Sequence, residues 1–93
     1  MGDVFKALAD PTRRAILDEL TDRDGQTLFE LCSRLAGRHG LSPSRQAVSQ
    51  HVDVLEDAGL VRRRRAGRYT FHHIDTRPLR ALADRWPVPG EAP

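Results

Sequence analysis

Residues 44–60, SRQAVSQHVDVLEDAGL, constrain this chain more than any other stretch. Wound as a helix, they place Ala47, Val48, His51, Val52, Val54, Leu55 and Ala58 within an arc of about 160°. The opposite arc carries Arg45, Gln46, Ser49 and Gln50 in the leading turns and Asp53, Glu56 and Asp57 in the trailing ones. Gly59 then supplies a C-terminal cap. A helix arranged in this order can meet a polyanion with its donor-rich N-terminal half. The stretch VRRRRAGRYTFHHI that follows predicts a β-hairpin with a basic rim.

A chain of 93 residues has room for one small core, so residues 1–86 are expected to form one domain and residues 87–93 a disordered tail. Arg62, Arg63, Arg64, Arg65 and Arg68 put five positive charges within seven residues, so a net charge of +2 leaves about −3 on the rest. A basic segment on a slightly acidic body suits phosphate, and equally a solvated arginine-rich turn. Cys32 has no cysteine partner, and neither a secretory leader nor a membrane-length apolar run is evident, so a soluble, cytoplasmic protein is expected.

Taken in order, the chain predicts a short helix over residues 3–9, with Val4, Phe5, Leu8 and Ala9 at helical spacing. Asp10 and Pro11 start a second helix that ends near Asp22 and buries Ile16, Leu17 and Leu20. Arg13 and Arg14 in its first turn oppose the helix dipole, which calls for phosphate contact or an ion pair with Asp10 or Asp18. Thr27 caps a third helix with Leu28, Leu31, Cys32 and Leu35 on one face. Residues 36–42 read as a longer connection than a tight helix-turn-helix needs, and the sequence leaves open whether the third helix runs on into it. Either Ser42 or Ser44 can cap the helix that follows.

After Gly59 the first strand begins at Leu60 and Val61, Ala66-Gly67 forms the turn, and Tyr69 to Ile74 return. Alternation divides Tyr69, Phe71 and His73 from Thr70, His72 and Ile74. Thr76 and Pro78 open a last helix with Leu79, Leu82, Ala83 and Trp86 at helical spacing, and Pro87 stops it. The fold class expected is mainly α with a small β-hairpin: a winged helix-turn-helix of about five helices and a two-stranded wing.

No phosphate-binding glycine loop, paired-carboxylate motif or cysteine–histidine arrangement points to catalysis, so the chain is not read as an enzyme. His39, His51, His72, His73 and Cys32 match no zinc spacing; no metal or cofactor is expected. His51 reads as a hydrogen-bonded core histidine, and Cys32 as a small core residue. Double-stranded DNA is the expected partner. Gln46 and Gln50 would read bases, Arg45 a guanine or a phosphate, and Ser44 and Ser49 a base or a phosphate. Arg62, Arg64, Arg65, Arg68 and Tyr69 would follow the backbone or the minor groove, with Arg13 as a further phosphate contact.

Three segments also resemble the ArsR (arsenic-repressor) type winged-helix regulators: FKALADPTRRAILDEL at residues 5–20, SRQAVSQHVDVLEDAGLV at 44–61 and RRRRAGRYTFHHID at 62–75. The resemblance runs over roughly residues 4–86. It implies a repressor whose first and last helices form a homodimer interface, onto which Phe5, Leu8, Leu79, Leu82 and Trp86 are carried. Metal-sensing members have cysteine-valine-cysteine on the third helix, where this chain has Leu31-Cys32-Ser33. The last helix, TRPLRALADRW, lacks the acid and histidine ligands of zinc-binding members. No inducer is therefore implied. Two other readings stay open: a redox or metal sensor using Cys32 with histidines of a partner subunit, and a protein-association module whose arginine hairpin docks on an acidic partner.

Overall fold

The computed structural model describes residues 3–90, which form five helices and one hairpin. Each of the first four helices starts where a short polar side chain caps it. Asp3 accepts the Phe5 N–H at 2.9 Å and opens α1 (Val4–Leu8). Asp10 accepts the Arg13 N–H at 3.0 Å and opens α2 (Pro11–Asp22), with Pro11 in its first turn. Thr27 and Glu30 cap α3 (Leu28–His39) reciprocally, the Thr27 hydroxyl accepting from the Glu30 N–H and the Glu30 carboxylate from the Thr27 N–H. Ser44, not Ser42, opens α4 (Arg45–Asp57), its Oγ accepting the Ala47 N–H at 3.1 Å. Each such cap stabilises its helix by about 1 kcal/mol.

The expected long connection after the third helix is mostly helix. α3 runs through Ala36 to His39 and closes on Gly40 at φ +64°, leaving only residues 40–44 as linker. Nothing in residues 36–39 breaks a helix except Gly37, whose penalty of about 1 kcal/mol is outweighed by the buried stripe before it.

Strands β1 (Val61–Ala66) and β2 (Tyr69–Ile74) pair antiparallel, Val61 opposite Ile74 and Ala66 opposite Tyr69. The turn is therefore Gly67-Arg68 rather than Ala66-Gly67. Ala66 belongs to the ladder, and Gly67 at φ +62° takes the first loop position, where a two-residue hairpin needs a positive φ. α5 (Arg77–Arg85) follows Thr76, whose side chain makes no capping bond; the Asp75 carboxylate accepts the Arg77 N–H at 3.0 Å instead.

α2, α3 and α4 meet around Ile16, Leu20, Leu31, Leu35, Val48, Val52 and Leu55, all fully buried, and Leu60 and Val61 join them at the root of the hairpin. Side chains of this size stabilise the fold by about 1.5–3 kcal/mol each on full burial. The apolar arc of α4 lies where its periodicity places it: Val48, Val52, Leu55 and Ala58 are buried, and Ala47, His51 and Val54 half-buried.

The hairpin is held at its base by the α2–α3 connection. The His72 N–H donates to the Gln26 carbonyl at 2.8 Å and the Gly25 N–H to the His72 carbonyl at 2.9 Å. His72 is buried, with Nδ1 also 2.8 Å from the Gln26 carbonyl, whereas His73 points the other way, its Nδ1 2.9 Å from Asp24 Oδ2. α5 buries no residue completely. No helix among the described residues is long and apolar enough to cross a membrane. Of the expected tail, residues 91–93 lie outside the described residues; residues 87–90 are exposed and form no helix or strand.

Candidate nucleic-acid interface

α4 presents its leading turns to solvent. Arg45, Gln46 and Gln50 are exposed, as is the capping Ser44, while Ser49 is half-buried. Alternation along β1 exposes Arg62 and Arg64, and Arg65 is exposed because it lies near the end of the hairpin, with Arg68 at the turn and Tyr69, 58% exposed, just beyond it. Tyr69 and Phe71 lie with ring centroids 6.3 Å apart on the outer face of β2. Helix and hairpin come together around a cleft of about 540 Å³ lined by Arg45, Ser49, Arg63, Arg68 and Tyr69. Arg45 and Arg68 put two solvent-exposed guanidinium groups on this concavity, which suit an anionic backbone through charge-assisted hydrogen bonds.

Two residues of this region were not singled out from the sequence. Phe29, in the first turn of α3, is 68% exposed and lines the same cleft. Its signal was its place off the Leu28, Leu31, Cys32 and Leu35 stripe. Arg63 lies in the middle of the arginine run yet points inward, its Nη2 2.7 Å from Asp53 Oδ1. The acidic trailing turns of α4 thus meet the hairpin as well as solvent.

Arg13 differs from its expected role. Its Nε donates to the Ala7 carbonyl at 2.9 Å and its Nη2 to the Lys6 carbonyl at 2.9 Å, while Nη1 lies 3.2 Å from His51 Nδ1. Carbonyls of the last turn of α1 lack a full set of helical partners, and a guanidinium from the start of α2 donates to them, at Lys6 alongside the Ala9 N–H. Arg14 does likewise, donating Nη1 to the Leu8 carbonyl at 2.7 Å. That explains two cations in the first turn of α2 without phosphate or an ion pair. His51, half-buried beside Arg13 and 3.9 Å from Asp10, is hydrogen-bonded as expected.

Cys32 is half-buried on α3. Burial raises its thiol above the ordinary cysteine range, with the charge of Arg45 opposing, so the unreactive protonated form prevails at neutral pH. Among the described residues, no group of three or more His, Cys, Asp or Glu side chains is placed to hold a metal ion.

The five residues expected at a subunit interface divide in two. Leu8 and Leu79 pack partly against the protomer's own core, and Leu82 is half-buried. Phe5 and Trp86 are 56% and 60% exposed with ring centroids 6.3 Å apart, so an aromatic pair spans the outer sides of α1 and the end of α5. Between α5 and the corner where α4 meets β1 lies an open groove of about 1100 Å³, lined by Val4, Val61, Pro78, Ala81 and Leu82 together with charged side chains that include Asp57, Arg62, Asp75 and Arg85.

A helix pair carrying a polar, donor-rich second helix, with a two-stranded basic wing packed behind it, defines a winged helix-turn-helix DNA-binding protein. A helix-turn-helix domain family model matches residues 8–64. The chain is 49% identical over 83 residues to the HTH-type transcriptional regulator YuzN of Bacillus subtilis (strain 168), covering 89% of this chain and 90% of that one. It is 32% identical over 79 residues to the transcriptional repressor SdpR of the same organism, covering 85% and 80%. The ArsR-like transcriptional regulator from Rhodococcus sp. RHA1 superposes with a TM-score of 0.76 at 35% identity, over 88% of this chain and 69% of that one. The chain belongs to the ArsR family of winged helix-turn-helix transcriptional regulators and is a DNA-binding regulator, not an enzyme.

Proposed function

We propose that the chain acts in the cytoplasm as a homodimeric repressor that reads an inverted-repeat operator, with residues 1–86 as the DNA-binding and dimerisation unit. The observation that carries the reading is the shared cleft: Arg45 and Ser49 of α4 face Arg68 and Tyr69 of the wing across it. In this reading α4 enters a major groove, Gln46 and Gln50 contact bases, and Ser44, Arg45 and Ser49 fix its register on base edges or phosphate. Arg62, Arg64, Arg65, Arg68 and Tyr69 follow the flanking backbone. The exposed Phe5–Trp86 pair and the groove beside α5 support association with a second copy, because an apolar face of this kind is best covered by its symmetry mate. Two such helices would meet successive major grooves about 34 Å apart. The relative SdpR, a repressor, supports the direction of regulation.

Protection mapping on the promoter beside its own gene, with sedimentation of the free protein, tests the reading. Two protected half-sites one helical turn apart and a dimer at micromolar concentration are expected. A monomer, or the absence of salt-sensitive duplex binding, would contradict it, and the latter would favour an acidic protein partner for the wing.

A further inference from the structure

The five arginines between residues 62 and 68 are not equivalent. Alternation along β1 turns Arg62 outward with its side chain 69% exposed, and Arg64 likewise faces solvent; Arg63 lies on the opposite face, its side chain only 26% exposed. Its guanidinium reaches three acceptors on α4. Nη2 is 2.7 Å from Asp53 Oδ1 and 3.3 Å from the Ser49 carbonyl, and Nη1 is 3.3 Å from Glu56 Oε1. Ser49, Asp53 and Glu56 form one column along the helix, at i, i+4 and i+7. A planar guanidinium spreads its donors over separate nitrogens and so spans acceptors along that column; a lysine ammonium gathers its three donors on one nitrogen.

Across the hairpin Arg63 pairs with His72, the residue whose backbone is bonded to Gln26 and Gly25. At this one level of the wing, then, β2 is tied to the α2–α3 connection and β1 to the recognition helix. Beyond it the strands run on to the exposed turn at Gly67 and Arg68. Two carboxylates neutralise Arg63, which leaves its charge little to offer phosphate.

We infer that Arg63 is a positioning residue that clasps the wing to the recognition helix and sets where Arg64, Arg65 and Arg68 meet the DNA backbone, without contacting phosphate itself. The inference rests on the proposed DNA-facing roles of α4 and the wing. Asp53 and Glu56, in the acidic trailing turns of α4, are the fixed half of the clasp.

The test uses the full chain with Arg63→Gln, Arg63→Lys and Arg64→Gln, in two measurements. Amide hydrogen exchange of the free protein is expected to quicken about three- to tenfold in the hairpin of Arg63→Gln, while the slow amides of α2 and α3 are unchanged. Arg63→Lys should restore only part of that protection. Unchanged hairpin exchange, or a uniform rise throughout the molecule, would overturn the clasp. Binding to a mixed-sequence duplex of about 30 base pairs is then followed against salt. Arg64→Gln should lower the logarithmic salt slope by about one, whereas Arg63→Gln should weaken binding about three- to tenfold with the slope kept. A slope lost equally in Arg63→Gln would make Arg63 a phosphate contact and overturn the proposal. If the unmodified protein binds no duplex in a salt-sensitive way, the DNA-facing assignment fails, and hairpin exchange alone decides the clasp.

Discussion

Arg34 Nε lies 2.6 Å from Oε2 of Glu19, whose side chain is 1% exposed, and this contact ties α3 to α2. Arg38 and His39 approach the other carboxylate oxygen at 3.4 and 3.2 Å, and Asp22 bridges Arg34 and Arg38 at 2.8 and 2.7 Å. A buried carboxylate is tolerated only while its partners stay. Arg34→Met leaves Glu19 with the two weaker partners and should cost about 2–3 kcal/mol in urea unfolding. Arg23→Met, which removes an exposed partner of Glu30, should cost less than about 1 kcal/mol.

The same carboxylates set the acid limit of the fold. Burial opposes ionisation of Glu19, but the hydrogen bond and charge of Arg34, with His39 and Arg38, outweigh it and hold the carboxyl below its ordinary range. Hydrogen bonds from the Arg77 side chain and backbone push Asp75 down to about 2. Folded values below unfolded ones mean stability that is fully present above about pH 5 and is lost as pH falls through the unfolded values toward the folded ones. Urea midpoints should therefore drop steadily below about pH 5. Glu19→Gln should be less stable at pH 7 but flatter between about pH 5 and 3; an unaltered slope would contradict this account of Glu19.

Base reading and backbone contact should separate by mutation. Gln46→Ala or Gln50→Ala should lower the preference for operator over random duplex by about 1–3 kcal/mol per lost base contact. Arg64→Ala or Arg68→Ala should weaken both duplexes alike and flatten the salt dependence. Equal losses on both duplexes for the glutamine variants would reassign α4 to the backbone.

Trp86 is the only tryptophan and sits at the proposed subunit interface, so its fluorescence reports association. Emission should shift to the blue as concentration rises through the dimer range. Trp86→Ala should weaken self-association about thirtyfold, the effect of losing an aromatic anchor at about 2 kcal/mol. An unchanged association constant by sedimentation would place the interface elsewhere.

Cys32 should react slowly. Its raised thiol and half-buried position predict alkylation by iodoacetamide at pH 7.5 at least about tenfold slower in the folded than in the urea-unfolded protein. Cys32→Ser should bind DNA as before, with or without peroxide or zinc. Rapid labelling of the folded chain would revive the redox-sensing reading.

What the sequence determined by itself is what neighbours along the chain decide. Asp10 and Ser44 start α2 and α4, Gly59 follows the end of α4, and the Val48, Val52 and Leu55 face is buried, because caps and helical faces are set within about four residues. The end of α3 stayed open and the hairpin turn was placed one residue early, since Gly37 and Gly67 are permissive of more than one outcome. Only the tertiary structure decided what the long side chains touch. Arg13 seeks the carbonyl ends of α1, Arg34 the buried Glu19, and Arg63 alone of its run the acids of α4. A guanidinium on a flexible stem has no preferred partner in its own segment; packing of elements 10 to 15 residues apart brings the acceptor within reach of Arg34 and Arg63.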